Sequence, residues 1–201
     1  MRHRKSHSTA VKKGRVAALS AEVARLKERE MELEERLAVA ESLPQIADRQ
    51  SFEEARIRLD KDPSIIFIMF DANNFGMVNK IGGHDLGNKG IDEISLAIRS
   101  AVQRSPHAST RQIWRIGGDE FVVAVKGSYH AAHELALDAV AEYGHRSLIS
   151  SSGEVVVISI EHGIGPTFCE ADQELRRYKD ARRASDMDTH YIRYSVPFES
   201  K

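Results

Sequence analysis

From Val16 onward, apolar residues recur every seven positions in two sets: Val16, Val23 and Leu37 in one, and Leu19, Leu26, Leu33 and Ala40 in the other. Glu30 interrupts the first set. Two such sets offset by three residues form one stripe along a helix, the seam of a short coiled coil. Charges alternate between them, as in Lys27, Glu28, Arg29 and Glu30, which suits solvated flanks. The pattern predicts a coiled-coil helix over 16–42 that pairs with a second copy of the chain; a single amphipathic helix packed on its own domain is the alternative. Pro44 marks a break.

Beyond the break the periodicity changes. Residues 52–59 read as a helix with Phe52, Ala55 and Leu59 on one face, and residues 64–70 as a buried strand. A short helical turn follows with Phe75, Met77 and Val78, then a longer helix over about 84–102 carrying Leu86, Ile91, Ile94 and Ile98. Residues 112–116 and 120–125 are β-rich segments joined through Gly117 and Gly118, the composition of a hairpin. Helices are expected over 130–143 and 171–183, and a fourth strand over 155–160. Strands, a hairpin and crossover helices in this order predict an α+β fold, a sheet with helices packed on it.

Composition adds exclusions. In 201 residues, 29 basic side chains face 30 acidic ones, so bulk charge draws the chain toward neither nucleic acid nor an anionic membrane. The longest apolar run, 65–70, falls far short of the roughly 20 residues of a membrane helix, so a cytoplasmic chain with no membrane partner is expected. Residues 1–15 hold Arg2, Arg4, Lys5, Lys12, Lys13 and Arg15 without one acid, and are expected to be an unstructured basic tail. The lone cysteine, Cys169, is read as a semi-buried thiol.

The candidate chemistry is carboxylate chemistry. Asp71 ends a hydrophobic strand, and Asp119 and Glu120 sit at the hairpin tip. If those strands are neighbours, three carboxylates meet at one sheet edge, a layout that suits Mg²⁺ or Mn²⁺ held together with phosphate oxygens. Strand ends also carry acids for solubility, so spacing alone does not name the chemistry.

The segment RIGGDEF, 115–121, resembles the signature of the GGDEF family of diguanylate cyclases. Three further blocks resemble that family in the same order: LPQIADRQSF at 43–52, FDANNFGMVNKIGGHDLGN at 70–88, and the helix that opens ADQEL at 171 and carries Lys179 and Arg183. The resemblance implies a palm-like nucleotidyl cyclase domain over 43–201, with a central mainly antiparallel sheet flanked by helices. It implies magnesium held by Asp71, Asp119 and Glu120 with the carbonyl of Ala72, a nucleotide-facing turn at Gly117 and Gly118, a triphosphate gripped by Lys179 and Arg183, and a base contacted by Asn79 and Asn88. Asp119 and Glu120 are the implied catalytic acids. The implied reaction joins two GTP into cyclic di-GMP, with one triphosphate per subunit of a homodimer; a catalytically silent, nucleotide-binding domain is the other reading.

Some positions depart from the family pattern. Asn73 replaces the second acid of the opening pair, Gly76 a lysine, and Lys80 an acid. Asn88 stands where the family has the aspartate that reads guanine. A carboxylate accepts from both donors on guanine's edge, whereas an amide offers one acceptor and one donor, which fits adenine better. GTP remains the first expectation and ATP the second. The family's inhibitory arginine and aspartate are replaced by Ala108 and Arg111, so product inhibition at that site is expected to be absent.

Overall fold

Every residue from Ile65 to Ala72 is buried, and parity decides which core each side chain enters. Ile66, Ile68, Phe70 and Ala72 join one hydrophobic cluster, while Ile65, Phe67 and Met69 join another. A strand with both faces buried belongs at the centre of a three-layer arrangement. The computed structural model describes residues 3–73, 75–106, 112–144, 146–184 and 194–195. Ala108 and Arg111 lie outside the described residues.

In chain order the elements are α1 (His3–Ser42), β1 (Ile46–Ala47), α2 (Arg49–Leu59), β2 (Ile65–Ala72), α3 (Phe75–Arg104), β3 (Gln112–Arg115), β4 (Glu120–Lys126), α4 (Tyr129–Tyr143), β5 (Arg146–Ile149), β6 (Glu154–Ile158), β7 (Ile160–Gly165), α5 (Phe168–Ala184) and β8 (Tyr194–Ser195). The chain divides into two compact units, Met1–Leu43 and Pro44–Lys201. The first is α1. Its helix starts at His3, so the basic segment expected to be unstructured continues the helix instead. Lysine, arginine and alanine are good helix formers, and no proline interrupts that stretch. Val16, Leu19, Val23, Leu26, Leu33 and Leu37 are each 50–63% exposed.

In the second unit a five-stranded sheet runs β1-β3-β4-β2-β7, antiparallel throughout except for the short β1–β3 pair. One face carries α3 and α4 through Ile94, Ile98, Leu135 and Ala139. The other carries α2 and α5 through Phe52, Leu59, Ala171 and Leu175, with Trp114 edge-on to Phe52 at 5.5 Å between centroids. Burying Phe52 fully contributes about 1.5–3 kcal/mol. A second sheet runs β5-β6-β8.

The expected fourth strand is two strands. Residue 159 separates β6 from β7, which belong to different sheets, and β7 extends five residues past the expected end. The extension reads poorly because it contains Glu161, His162, Gly163 and Gly165. Gly163 has a packing reason: a β-carbon there would collide with the Ala171 carbonyl and the Leu175 amide, and would lie 2.8 Å from Leu175 Cβ. α5 therefore rests directly on the β7 backbone. Gly83 has a conformational one, since its φ of 70° breaks α3 into the expected short helix and long helix.

Candidate active site

Register brings the acids together. Asp71 pairs with Glu120 of β4 on one side and with Glu161 of β7 on the other. In-register residues of adjacent strands share a face, so this row continues the face packed by α5. Met69 and Leu175 lie in the core cluster just below it.

α5 answers with two cations one turn apart. Lys179 Nζ lies 2.7 Å from Asp71 Oδ1, and Arg182 Nη1 lies 3.1 Å from Glu161 Oε1. All four side chains are largely buried. Arg183 is different: its side chain is 64% exposed and reaches Asp180 only at 3.7 Å.

A cavity of about 330 Å³ opens here, lined by Asp71, Ala72, Asn73 and Asp119 on the sheet side, by Phe75 and Gly76 of α3, and by Lys179, Arg182 and Arg183 of α5. Asp119 is held above its ordinary carboxylate pKa, first by burial and next by the charge of Asp71, with Glu120 adding and Lys179 opposing. Asn73 is fixed by two bonds to Ser159: its amide N–H donates to the carbonyl at 2.8 Å, and Nδ2 donates to Oγ at 2.9 Å. Its Oδ1 is buried without a hydrogen-bond partner.

Glu120 does not line this cavity with the other two acids. Its carboxyl folds back over Gly117, where an added β-carbon would collide with it. Glu120 still stands in register with Asp71 and adds to the charge that raises Asp119, so the three carboxylates share this sheet edge while Asp71 and Asp119 line the cavity. Among the described residues, no group of three or more His, Cys, Asp or Glu is placed to hold a metal. The turn is pinned by Arg115, whose Nη2 donates to the Gly118 carbonyl at 2.6 Å, and Gly118 faces open space.

The donor set fits magnesium. That ion is bound through one or two carboxylates, with phosphate oxygens and water completing an all-oxygen shell. Asp71, Asp119, the Ala72 backbone and the unpartnered Oδ1 of Asn73 offer hard oxygens only.

The expected base contacts lie on α3. The carboxamide of Asn79 sits against Gly87, where a β-carbon would strike Oδ1 and would come within 3.3 Å of Phe75 Cζ. Asn88 follows directly and is exposed. Neither asparagine lines the cavity, but Phe75, which does, lies beside Gly87 together with the Asn79 carboxamide.

Glu161, Arg182 and Ser159 escaped the sequence reading. The β7 segment showed no apolar alternation, and Arg182 looked like one more cation in a basic helix end. Cys169, expected to be half-buried, is exposed in the first turn of α5.

Among the described residues, no helix is long and apolar enough to cross a membrane. The chain is 42% identical over 84 residues to a diguanylate cyclase, DgcS, of Shewanella oneidensis, covering 41% of this chain and 27% of that protein. It spans 27% to 38% of the length of the curated relatives it matches. Its fold is similar to the coiled coil and GGDEF domain of DgcB from Caulobacter crescentus in complex with c-di-GMP, with TM-score 0.54, 19% identity, and coverage of 88% of this chain and 96% of that one. It is also similar to the active GGEEF domain of a diguanylate cyclase from Vibrio cholerae, with TM-score 0.55, 20% identity, and coverage of 68% and 93%. The family model described as diguanylate cyclase, GGDEF domain, matches residues 39–186. With most of its length matched, the chain belongs to the GGDEF family.

Proposed function

We propose that the chain is a diguanylate cyclase-type nucleotidyltransferase that condenses two nucleoside triphosphates, GTP first, into a cyclic dinucleotide. The observation that carries this reading is one cavity lined by Asp71 and Asp119 together with Lys179 and Arg183. Acids that hold a divalent cation and bases that hold phosphate are the two halves of a triphosphate site.

Each new bond joins the 3′-oxygen of one nucleotide to the α-phosphorus of the other, and each broken bond releases pyrophosphate. Asp71, Asp119 and the Ala72 carbonyl hold magnesium, with Asn73 Oδ1 beside them. The ion supplies charge neutralisation on the phosphates and a lower pKa for the attacking hydroxyl. Lys179 and Arg183 grip the phosphates, and most of the catalysis is positioning. Asp119 lies in the cavity and accepts the hydroxyl proton, while Glu120 shapes the turn and adds negative charge beside it. Asn79 and Asn88 meet the base.

The exposed stripe of α1 supports a homodimer. Six aliphatic side chains at seam positions stand half exposed or more in the single chain, and a second copy buries them. Such pairing raises the concentration of one triphosphate-loaded subunit near the other. The reaction draws on the cytoplasmic nucleotide pool.

The second reading, a silent nucleotide-binding regulator, is favoured by Asn73, Gly76, Lys80 and Asn88. One experiment separates the two. The purified chain is incubated with Mg²⁺ and GTP, ATP or both, and products are identified by mass spectrometry beside Asp119→Ala. A cyclic dinucleotide that disappears in the variant supports the cyclase; no product from any mixture, with nucleotide still bound, supports the regulator.

A further inference from the structure

We infer that Asn73 is a neutral ligand of the divalent cation at this site, and that Ser159 orients its carboxamide so that the oxygen serves the ion. This rests on the triphosphate reading above and gives a part in it to a position where the family pattern has an acid.

The amide N–H of Asn73 donates to the Ser159 carbonyl, which carries the β2–β7 ladder one residue beyond the Ala72–Ile160 pair. Side chains alternate along a strand, so Asn73 shares the face of Asp71, and both line the cavity. Asn73 is only 7% exposed, and the two ends of its carboxamide are treated differently. Nδ2 donates to Ser159 Oγ at 2.9 Å, whereas Oδ1 is buried without a hydrogen-bond partner. An orphaned buried oxygen is costly and calls for a partner in the working site.

The surroundings narrow that partner. A carboxamide oxygen only accepts, so it gains nothing from phosphate oxygens, which accept as well. The cations that line the cavity are turned to carboxylates: Lys179 to Asp71, Arg182 to Glu161 and Arg183 to Asp180. A metal ion is the partner these neighbours select, since Asp71, Asp119 and Ala72 stand in the same cavity wall and hard cations take carboxamide oxygens beside carboxylates. Asparagine in place of the family's acid therefore removes a charge and keeps an oxygen. The ion then depends more on phosphate for charge balance.

Ser159 is the positioning residue. It stands between β6 and β7, and it holds Asn73 by both backbone and side chain. Holding the amide by its nitrogen leaves the oxygen for the ion; the reverse orientation would set N–H donors there and disfavour a cation.

The test uses the full chain and inorganic tripolyphosphate, a probe without a base, titrated by calorimetry with Mg²⁺ and again with EDTA. The ratio of the two affinities reports the metal contacts, and the metal-free affinity is the internal control. Asn73→Leu is expected to lower the ratio about tenfold or more. Ser159→Ala is expected to lower it in wild type but not in the Asn73→Leu background, whereas a merely structural role would lower both affinities alike. Asn73→Cys is made together with Cys169→Ser, so that no second thiol competes. Its preference for the Cd²⁺ over the Mg²⁺ complex of tripolyphosphate should exceed that of Cys169→Ser alone by about tenfold, because a thiolate prefers the softer ion. An unchanged ratio in Asn73→Leu, or an unchanged Cd²⁺ preference in Asn73→Cys, overturns the inference. Should Asn73→Leu fail to fold, the Asn73→Cys comparison decides alone. If wild type binds tripolyphosphate equally with and without Mg²⁺, the metal reading of Asp71 and Asp119 falls first and this inference with it. If wild type binds neither tripolyphosphate nor any nucleotide, the triphosphate reading itself falls.

Discussion

Lys179 Nζ lies 2.7 Å from Asp71 Oδ1, so the end of the central strand is tied to the C-terminal part of α5 by a nearly buried ion pair. Breaking such a pair from one side leaves a buried charge uncompensated. Lys179→Met is expected to cost roughly 3 kcal/mol of stability in urea unfolding, the lower end for a buried pair. The exposed pair of Arg56 with Glu53 is the control, and Glu53→Ala should cost less than about 1 kcal/mol. Added Mg²⁺ should raise the melting temperature of Lys179→Met more than that of wild type, because a cation then replaces the ammonium beside Asp71. An equal rise in both proteins would count against Asp71 as a magnesium ligand.

Gly163 predicts a larger effect from a smaller change. Its missing β-carbon is what lets the Ala171 carbonyl and the Leu175 amide approach β7, and backbone cannot step aside as a side chain does. Gly163→Ala should cost about 3 kcal/mol or more, at or beyond the usual range for overpacking. Affinity for inorganic tripolyphosphate with Mg²⁺ should fall with it, since Lys179 and Arg183, which line the cavity, ride on the same helix. Full stability in the variant would show that α5 can lift without penalty.

The central layers were legible because strict parity leaves a plain trace: Ile65 to Phe70 had to lie between two apolar cores. That Asp71 and Asp119 meet at one sheet edge was equally legible, as both stand where an apolar strand meets a turn. Glu161 and Arg182 were hidden for a physical reason. Each makes sense only with the other, across 21 residues of chain, and β7 carries Glu, His and Gly where an apolar pattern would have revealed a strand. The β6–β7 boundary was lost for the same reason. Glu120 shares the sheet edge with Asp71, as its place at the hairpin tip suggested, but adjacency to Asp119 does not show that its carboxyl lies over Gly117.

His162 predicts a pH dependence. Its imidazole is held below the ordinary value of 6.5, first by burial and next by the neighbouring His133, with Glu174 opposing. The rings of His133 and His162 stand edge to face at 6.2 Å. A histidine that resists protonation when folded lets the unfolded chain bind more protons, so stability rises with pH through this window. The contribution is complete above 6.5 and declines as pH falls below that value toward the folded pKa. Melting temperature should therefore drop as the pH falls below 6.5, and His162→Phe should flatten that part of the curve. An unchanged slope would place the titration elsewhere.

The stripe on α1 predicts assembly. Leu26, 58% exposed in the single chain, is a central seam residue, and a charge there faces its own copy in a parallel pair. Leu26→Asp is expected to shift sedimentation from dimer to monomer. Specific activity should then become dependent on protein concentration, because the second triphosphate must be found by diffusion. A variant that sediments like wild type would remove the seam from the assembly.

Asn88 tests the choice of base. It follows Gly87, against which the Asn79 carboxamide sits, and it is exposed, so under the proposed function residues 79 and 88 would meet the base together. Guanine presents two adjacent donors on its pairing edge. Aspartate accepts both, while asparagine accepts one and sets a donor against the other. A contact of this kind is worth about 1 to 3 kcal/mol of discrimination, or roughly thirtyfold at the middle of that range. Asn88→Asp should raise the preference for GTP over ATP by about that factor, measured as a ratio of kcat/KM, or of binding constants if no product forms. Because both substrates share the phosphate contacts, a change confined to the ratio isolates the base. If the ratio stays where it was, the side chain at position 88 does not read the base, and the preference is set by Asn79 and the walls around it.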